Sequence, residues 1–184
     1  MNILLNSTWL VFLSEMGDKT QLLALVLSAR FKRPWIVIAG IFVATILNHA
    51  LASWSGGLIA SFVSRETLNW ILALTFFAFA IWILFPDKAD DEKPKGRFGA
   101  FLTTVITFFL AEMGDKTQLA TVALGARYMN TALVTLGTTL GMMASNALAV
   151  FAGESLLRRI PMKWIRIFAS LSFAIFGVAI LIGF

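Results

Sequence analysis

An all-α integral membrane fold, six transmembrane helices arranged as two inverted three-helix repeats with both termini outside, is what this sequence predicts, and three observations predict it. The 184 residues are 59% hydrophobic and only 14% charged, with a mean hydropathy of +0.84, which would leave a soluble domain no place for its apolar surface. A seven-residue segment, Glu15-Met16-Gly17-Asp18-Lys19-Thr20-Gln21, returns unchanged as Glu112-Met113-Gly114-Asp115-Lys116-Thr117-Gln118, 97 residues later. Basic residues crowd into alternate loops.

Apolar runs separated by charged or turn-forming clusters place the spans near 3–29, 34–61, 67–86, 98–126, 131–157 and 162–183, each long enough for the ~20 residues that a crossing helix needs. The first span has no basic leader and carries the motif, so it reads as a retained helix rather than a signal peptide. Trp9, Trp35, Trp70, Trp82 and Trp164 fall toward span ends, where indole rings favour the headgroup region. The first, third and fifth loops hold eleven Lys and Arg residues, among them Arg30, Lys32, Arg33, Lys163 and Arg166, whereas the second and fourth hold only Arg65 and Arg127. Positive charge stays on the cytoplasmic side, so both termini are expected outside.

The polar run from Asp87 to Arg97 is expected to be a charged cytoplasmic linker between a first repeat, 1–86, and a second, 98–184, within one membrane domain. The 97-residue offset persists beyond the motif. Leu22, Leu27, Ala29 and Arg30 recur as Leu119, Leu124, Ala126 and Arg127; Gly40 meets Gly137, His49-Ala50-Leu51-Ala52 meets Asn146-Ala147-Leu148-Ala149, and Gly56 meets Gly153. Three spans per repeat is an odd number, so the halves enter the membrane in opposite directions, and their motifs are expected to face each other at the midplane.

Charged groups within a membrane helix cost about 2.5 to 3.5 kcal/mol each on insertion scales and mark ion or proton pathways. On an uninterrupted helix at about 100° per residue, Glu15, Asp18, Lys19 and Gln21 share one face, as do Glu112, Asp115, Lys116 and Gln118, while Thr20 and Thr117 fall on another face, in reach of a backbone carbonyl, and are expected as supporting residues of the site. Gly17 and Gly114 permit close helix approach or local unwinding. Four carboxylates and two amide oxygens form a hard-oxygen set suited to Mg²⁺, Mn²⁺ or Ca²⁺. Each motif carries a net charge of −1, so the pair is neutralised by one divalent cation or two protons, which suggests exchange of one for the other.

Lys19 and Lys116 are expected to pair with motif carboxylates when no cation is bound, or to fix carboxylate geometry from one side. Asn48 and His49 in the second span, with Ser145 and Asn146 at the equivalent place in the fifth, either complete the site or bond between helices. His49 is a candidate proton acceptor against the plainer reading of a packed histidine. Met16 and Met113 are either soft thioether ligands or packing residues. Glu154 and Arg158 are spaced as a helix-surface ion pair. No cysteine is present and His49 is the only histidine, which excludes disulfides, thiolate metal sites and histidine clusters. With no nucleophile–base pair visible, no enzyme is expected, nor any resident cofactor or nucleic-acid partner.

The doubled Glu-Met-Gly-Asp-Lys-Thr segment, at 15–20 and 112–117, resembles uncharacterized protein family 0016, the Golgi calcium/manganese-proton exchanger family, and the match extends along the whole chain. The resemblance implies that Glu15, Asp18, Glu112 and Asp115 bind the transported cation. It also implies Mn²⁺ or Ca²⁺ transport coupled to H⁺, and the chain's small size is similar to the family's bacterial manganese exporters. The expectation is therefore a secondary transporter in the bacterial inner membrane that exports Mn²⁺, with Ca²⁺ as an alternative cargo, in exchange for H⁺. Its partners are a divalent cation and the lipid bilayer, with a homo-oligomer left open. A six-helix exporter of a small solute or amino acid is the rival reading, though it needs no set of facing carboxylates. A divalent-cation channel is the other, though inverted repeats suit alternating access.

Overall fold

The fold is all-helical, as a computed structural model describes it over residues 2–85, 98–157 and 161–183, the side chains of 154–157 excepted. The linker expected at 87–97 and the Glu154–Arg158 pair lie outside the described residues. Eight helices, and no strand, occur among those described: α1 (Ile3–Glu15), α2 (Lys19–Phe31), α3 (Pro34–Ser61), α4 (Arg65–Trp82), α5 (Ala100–Glu112), α6 (Lys116–Tyr128), α7 (Thr131–Leu157) and α8 (Met162–Leu181). By length and composition α3, α8 and residues 131–153 of α7 are apolar enough to cross a membrane; α1 and α5 are shorter apolar helices.

The helices expected to run unbroken over 3–29 and 98–126 are each divided at the motif. Gly17 and Gly114 adopt φ +78° and +77°, a left-handed conformation that glycine enters freely and that an α-helix cannot propagate. The same sequence thus produces the same break twice. The likeness continues at the far ends of α2 and α6, where Lys32 and Met129, again 97 residues apart, take left-handed caps whose N–H groups donate to Ser28 O and Gly125 O, both at 2.9 Å. Gly153 breaks the pattern: its φ of +73° kinks α7, whereas its equivalent Gly56 lies inside the regular helix α3.

Local signals account for the helix starts. Asn2 accepts from Leu5 N–H and Ser64 from Thr67 N–H, and Pro34 occupies the first turn of α3, where its missing donor costs nothing. Several hydroxyls inside the helices donate to carbonyls one turn back, as Thr104 does to Ala100, Thr121 to Thr117 and Thr138 to Val134.

Each half packs mainly on the other: α1 lies on α7, α5 on α3, α6 on α3 and α4 on α8. The backbones come close because glycines line the crossings of α3 with α6 (Gly56, Gly125) and of α7 with α1 (Gly137, Gly141). Aromatic rings fill the α4–α8 contact, where Phe76 lies 6.0 Å from Phe173 and 4.7 Å from Phe176. Two contacts join residues that are equivalent in the repeat: Phe76 with Phe173, and Thr45 Oγ1 with Met142 Sδ at 3.3 Å. Outward-facing side chains are large and apolar, Trp35, Trp70 and Trp164 among them, as a lipid-facing surface requires.

Candidate cation site

The breaks bring helix ends and acidic side chains to one buried place. Glu15 and Glu112 are the last residues of α1 and α5, and both are 0% exposed. Asp18 and Asp115 precede α2 and α6 as N-caps, both buried. Oxygens of Glu15, Glu112 and Asp115 lie within 4.8 Å of one another, a spacing at which three carboxylates can share one cation. Asp18 is not in that group; it lines a small cavity with Lys116, Met16, Phe85 and Arg166.

Hydrogen bonding is unequal across the cluster. Glu15 accepts from Thr20 Oγ1 at 2.6 Å through one oxygen and from Thr117 Oγ1 of the other half through the second. Neither oxygen of Glu112 and not Asp115 Oδ2 has a hydrogen-bond partner among the described residues. Buried acceptors without donors are costly, and these three belong to two of the three carboxylates in the cluster. Lys19 Nζ lies 3.0 Å from Asp115 Oδ1, bridging the halves, while Lys116 Nζ donates to the Phe85 carbonyl at 3.3 Å and sits 5.6 Å from the Trp82 ring centroid.

Thr20 and Thr117, expected as supporting residues but on another face of the helix wheel, both donate to Glu15 itself. A wheel at 100° per residue assumes one continuous helix, and the left-handed glycine resets the direction of everything after it. The same reset gives the glutamines a structural use. Gln21 Oε1 accepts from Gly17 N–H at 2.9 Å and Gln118 Oε1 from Gly114 N–H at 2.6 Å, so each amide ties its own helix break. Their NH₂ groups then reach equivalent partners, Gln21 to Ser145 O and Oγ (2.9 and 3.2 Å) and Gln118 to Asn48 Oδ1 (3.3 Å).

Asn48 also donates to Phe109 O, whereas Asn146 donates to Met142 O within its own helix. His49 is fully buried, its two ring nitrogens have no hydrogen-bond partner among the described residues, and it is not a member of the carboxylate cluster. The methionines differ: Met16 is 6% exposed, its sulfur 3.7 Å from Gln21 Nε2 and from Ser145 Oγ, while Met113 is 56% exposed.

Alanine at Gly114 meets no atom within 4 Å, so Gly114→Ala is expected to lose only the ~1–2 kcal/mol that a left-handed residue with a Cβ costs. Gly17→Ala is expected to lose more, because its Cβ would also lie 2.9 Å from Met162 Sδ. Thermal denaturation of the two variants in detergent checks that order.

An apolar helical bundle that buries carboxylates at paired helix breaks defines an ion-handling membrane protein. Over residues 3–91 and 100–183 the chain matches the family described as "Divalent cation/proton antiporter GDT1". It belongs to that family, whose members are transporters, and which is the family that its doubled motif resembles. Among its relatives is a Vibrio cholerae protein named "Putative manganese exporter", 46% identical over 167 residues that cover 90% of this chain and 84% of that protein. "GDT1-like protein sll0615" of Synechocystis sp. and "GDT1-like protein 5" of Arabidopsis thaliana are each 29% identical, with 92% of this chain matched to 91% and 90% of theirs. No solved structure matches the chain.

Proposed function

We propose that this protein exports Mn²⁺, with Ca²⁺ as a second cargo, from the bacterial cytoplasm across the inner membrane in exchange for H⁺. The observation that carries the reading is the convergence of one oxygen each from Glu15, Glu112 and Asp115 within 4.8 Å, with no donor among the described residues on either Glu112 oxygen or on Asp115 Oδ2. Carboxylate oxygens suit a hard divalent cation, and the same oxygens accept protons when the cation leaves. The two motifs, at a net −1 each, act as one midplane site. Gln21 and Gln118 brace the breaks around it, and Thr20 and Thr117 orient Glu15.

The halves 1–86 and 98–184 are read as inverted repeats of three spans each, joined by a cytoplasmic linker at 87–97, with both termini outside. Supporting this are the alternating loop charges, the breaks and left-handed caps that recur at the 97-residue offset, and the two contacts between repeat equivalents. Exchanging the conformations of the halves would open the site to each side in turn. The Vibrio cholerae relative's name supports Mn²⁺ as cargo. In proteoliposomes, ⁵⁴Mn²⁺ uptake is expected to accelerate when an opposing pH gradient is imposed, with ⁴⁵Ca²⁺ measured alongside. Mn²⁺ flux equal to that of empty liposomes would sink the reading, and flux indifferent to the gradient would remove the proton from it.

A further inference from the structure

Lys19 and Lys116 have the same neighbours in sequence and different ones in space. Lys19 reaches across to the other half and holds Asp115 Oδ1 at 3.0 Å; the carboxylate has an oxygen within 4.8 Å of Glu15 and Glu112, and its Oδ2 has no hydrogen-bond partner among the described residues. Its ammonium therefore occupies the rim of the cluster and neutralises one of the three acids. Lys116 donates to the carbonyl of Phe85 and lies over the face of Trp82, and it lines the same small cavity as Asp18, the repeat equivalent of Asp115. Lys19 is 25% exposed and so has room to withdraw; Lys116 is 7% exposed.

Three carboxylates this close repel one another unless a positive charge stands among them, and an ammonium on Asp115 supplies it. A divalent cation drawn to the same aspartate meets that ammonium as a competitor. We infer that Lys19 is a tethered counter-cation, a positioning residue that holds Asp115 while the site is empty and leaves it when the cation binds. With the conformations of the halves exchanged, Lys116 does the same on Asp18. The inference rests on the cation-site reading above. It explains why each motif carries a lysine that would otherwise only weaken cation binding: the empty site stays partly neutral, and the returning ammonium helps to eject the ion.

The test uses the full-length protein in right-side-out and inside-out vesicles, with initial ⁵⁴Mn²⁺ flux measured against Mn²⁺ concentration at each face. Lys19→Met is expected to lower the half-saturating concentration about tenfold at one face, to leave it within about twofold at the other, and to cut the maximal rate about tenfold, because the ion binds more tightly and leaves more slowly. Lys116→Met is expected to give the same result with the faces interchanged. Lys19→Arg, whose fork grips Asp115 with two bonds, is expected to raise the half-saturating concentration instead. Lys19→Gln serves as a second neutral variant should Lys19→Met fail to fold. Neutral variants that leave half-saturation unchanged, raise it, or alter both faces equally would overturn the tether. Wild-type protein that carries no Mn²⁺ would overturn the parent reading.

Discussion

Glu112→Gln is expected to reduce Mn²⁺ flux at least about a hundredfold while leaving the folded protein as stable as the wild type or slightly more so. Both Glu112 oxygens are buried without a hydrogen-bond partner among the described residues, so the amide breaks no bond seen there and relieves a buried charge. What it removes is one of the three charges around the proposed cation site, and loss of a buried charge partner costs about 2 to 5 kcal/mol of binding, which spans a hundredfold. Glu15→Gln is expected to lose flux equally but to be destabilised as well. Its two oxygens accept from Thr20 and Thr117, and an NH₂ group cannot accept. Flux and thermal denaturation measured on both variants separate the two roles. An active Glu112→Gln protein would remove that residue from the site.

The second large effect concerns assembly. A Cβ at Gly56 would lie 2.0 Å from the Val122 carbonyl oxygen and one at Gly125 would lie 2.3 Å from that of Ser53. These are backbone atoms of facing helices and cannot turn aside. Gly56→Ala and Gly125→Ala are each expected to force α3 and α6 apart at a cost of about 3 kcal/mol or more, with most of the protein lost from the monodisperse peak in size-exclusion chromatography. Gly57→Ala is the control. Its Cβ would approach only Gly125 O, at 3.8 Å, an ordinary contact, and normal recovery is expected.

Hydropathy and the doubled motif were enough to read an all-helical membrane protein and to point at Glu15, Glu112 and Asp115, because buried charge is too costly to be placed without a use. The helix breaks were harder to read. Glycine is compatible with both a continuous helix and a left-handed turn, and nothing in the residues around Gly17 selects between them. That one ambiguity left Thr20 and Thr117 legible as supporting residues but not as donors to Glu15. The differences between the copies were not legible at all: identical segments cannot tell which methionine is buried, which lysine pairs with Asp115, or which glutamate receives both threonines. Those choices belong to the packing of one half on the other. His49 likewise gave no sequence clue that both ring nitrogens would lack partners, since that depends on what α7 and its neighbours present to it.

The contacts of Thr45 with Met142 and of Phe76 with Phe173 carry a last consequence. In a symmetric dimer of one half, a residue at such a meeting point can only face its own copy, so hydroxyl would meet hydroxyl and sulfur would meet sulfur. Fusing the halves into one chain lifts that restriction: at one meeting point phenylalanine still faces phenylalanine, while at the other a donor now faces an acceptor. On the proposed exchange of conformations, a protein freed in this way can make its two facing arrangements unequal in free energy, and so favour one of them with no ion bound, which a strict dimer of identical halves is forbidden to do.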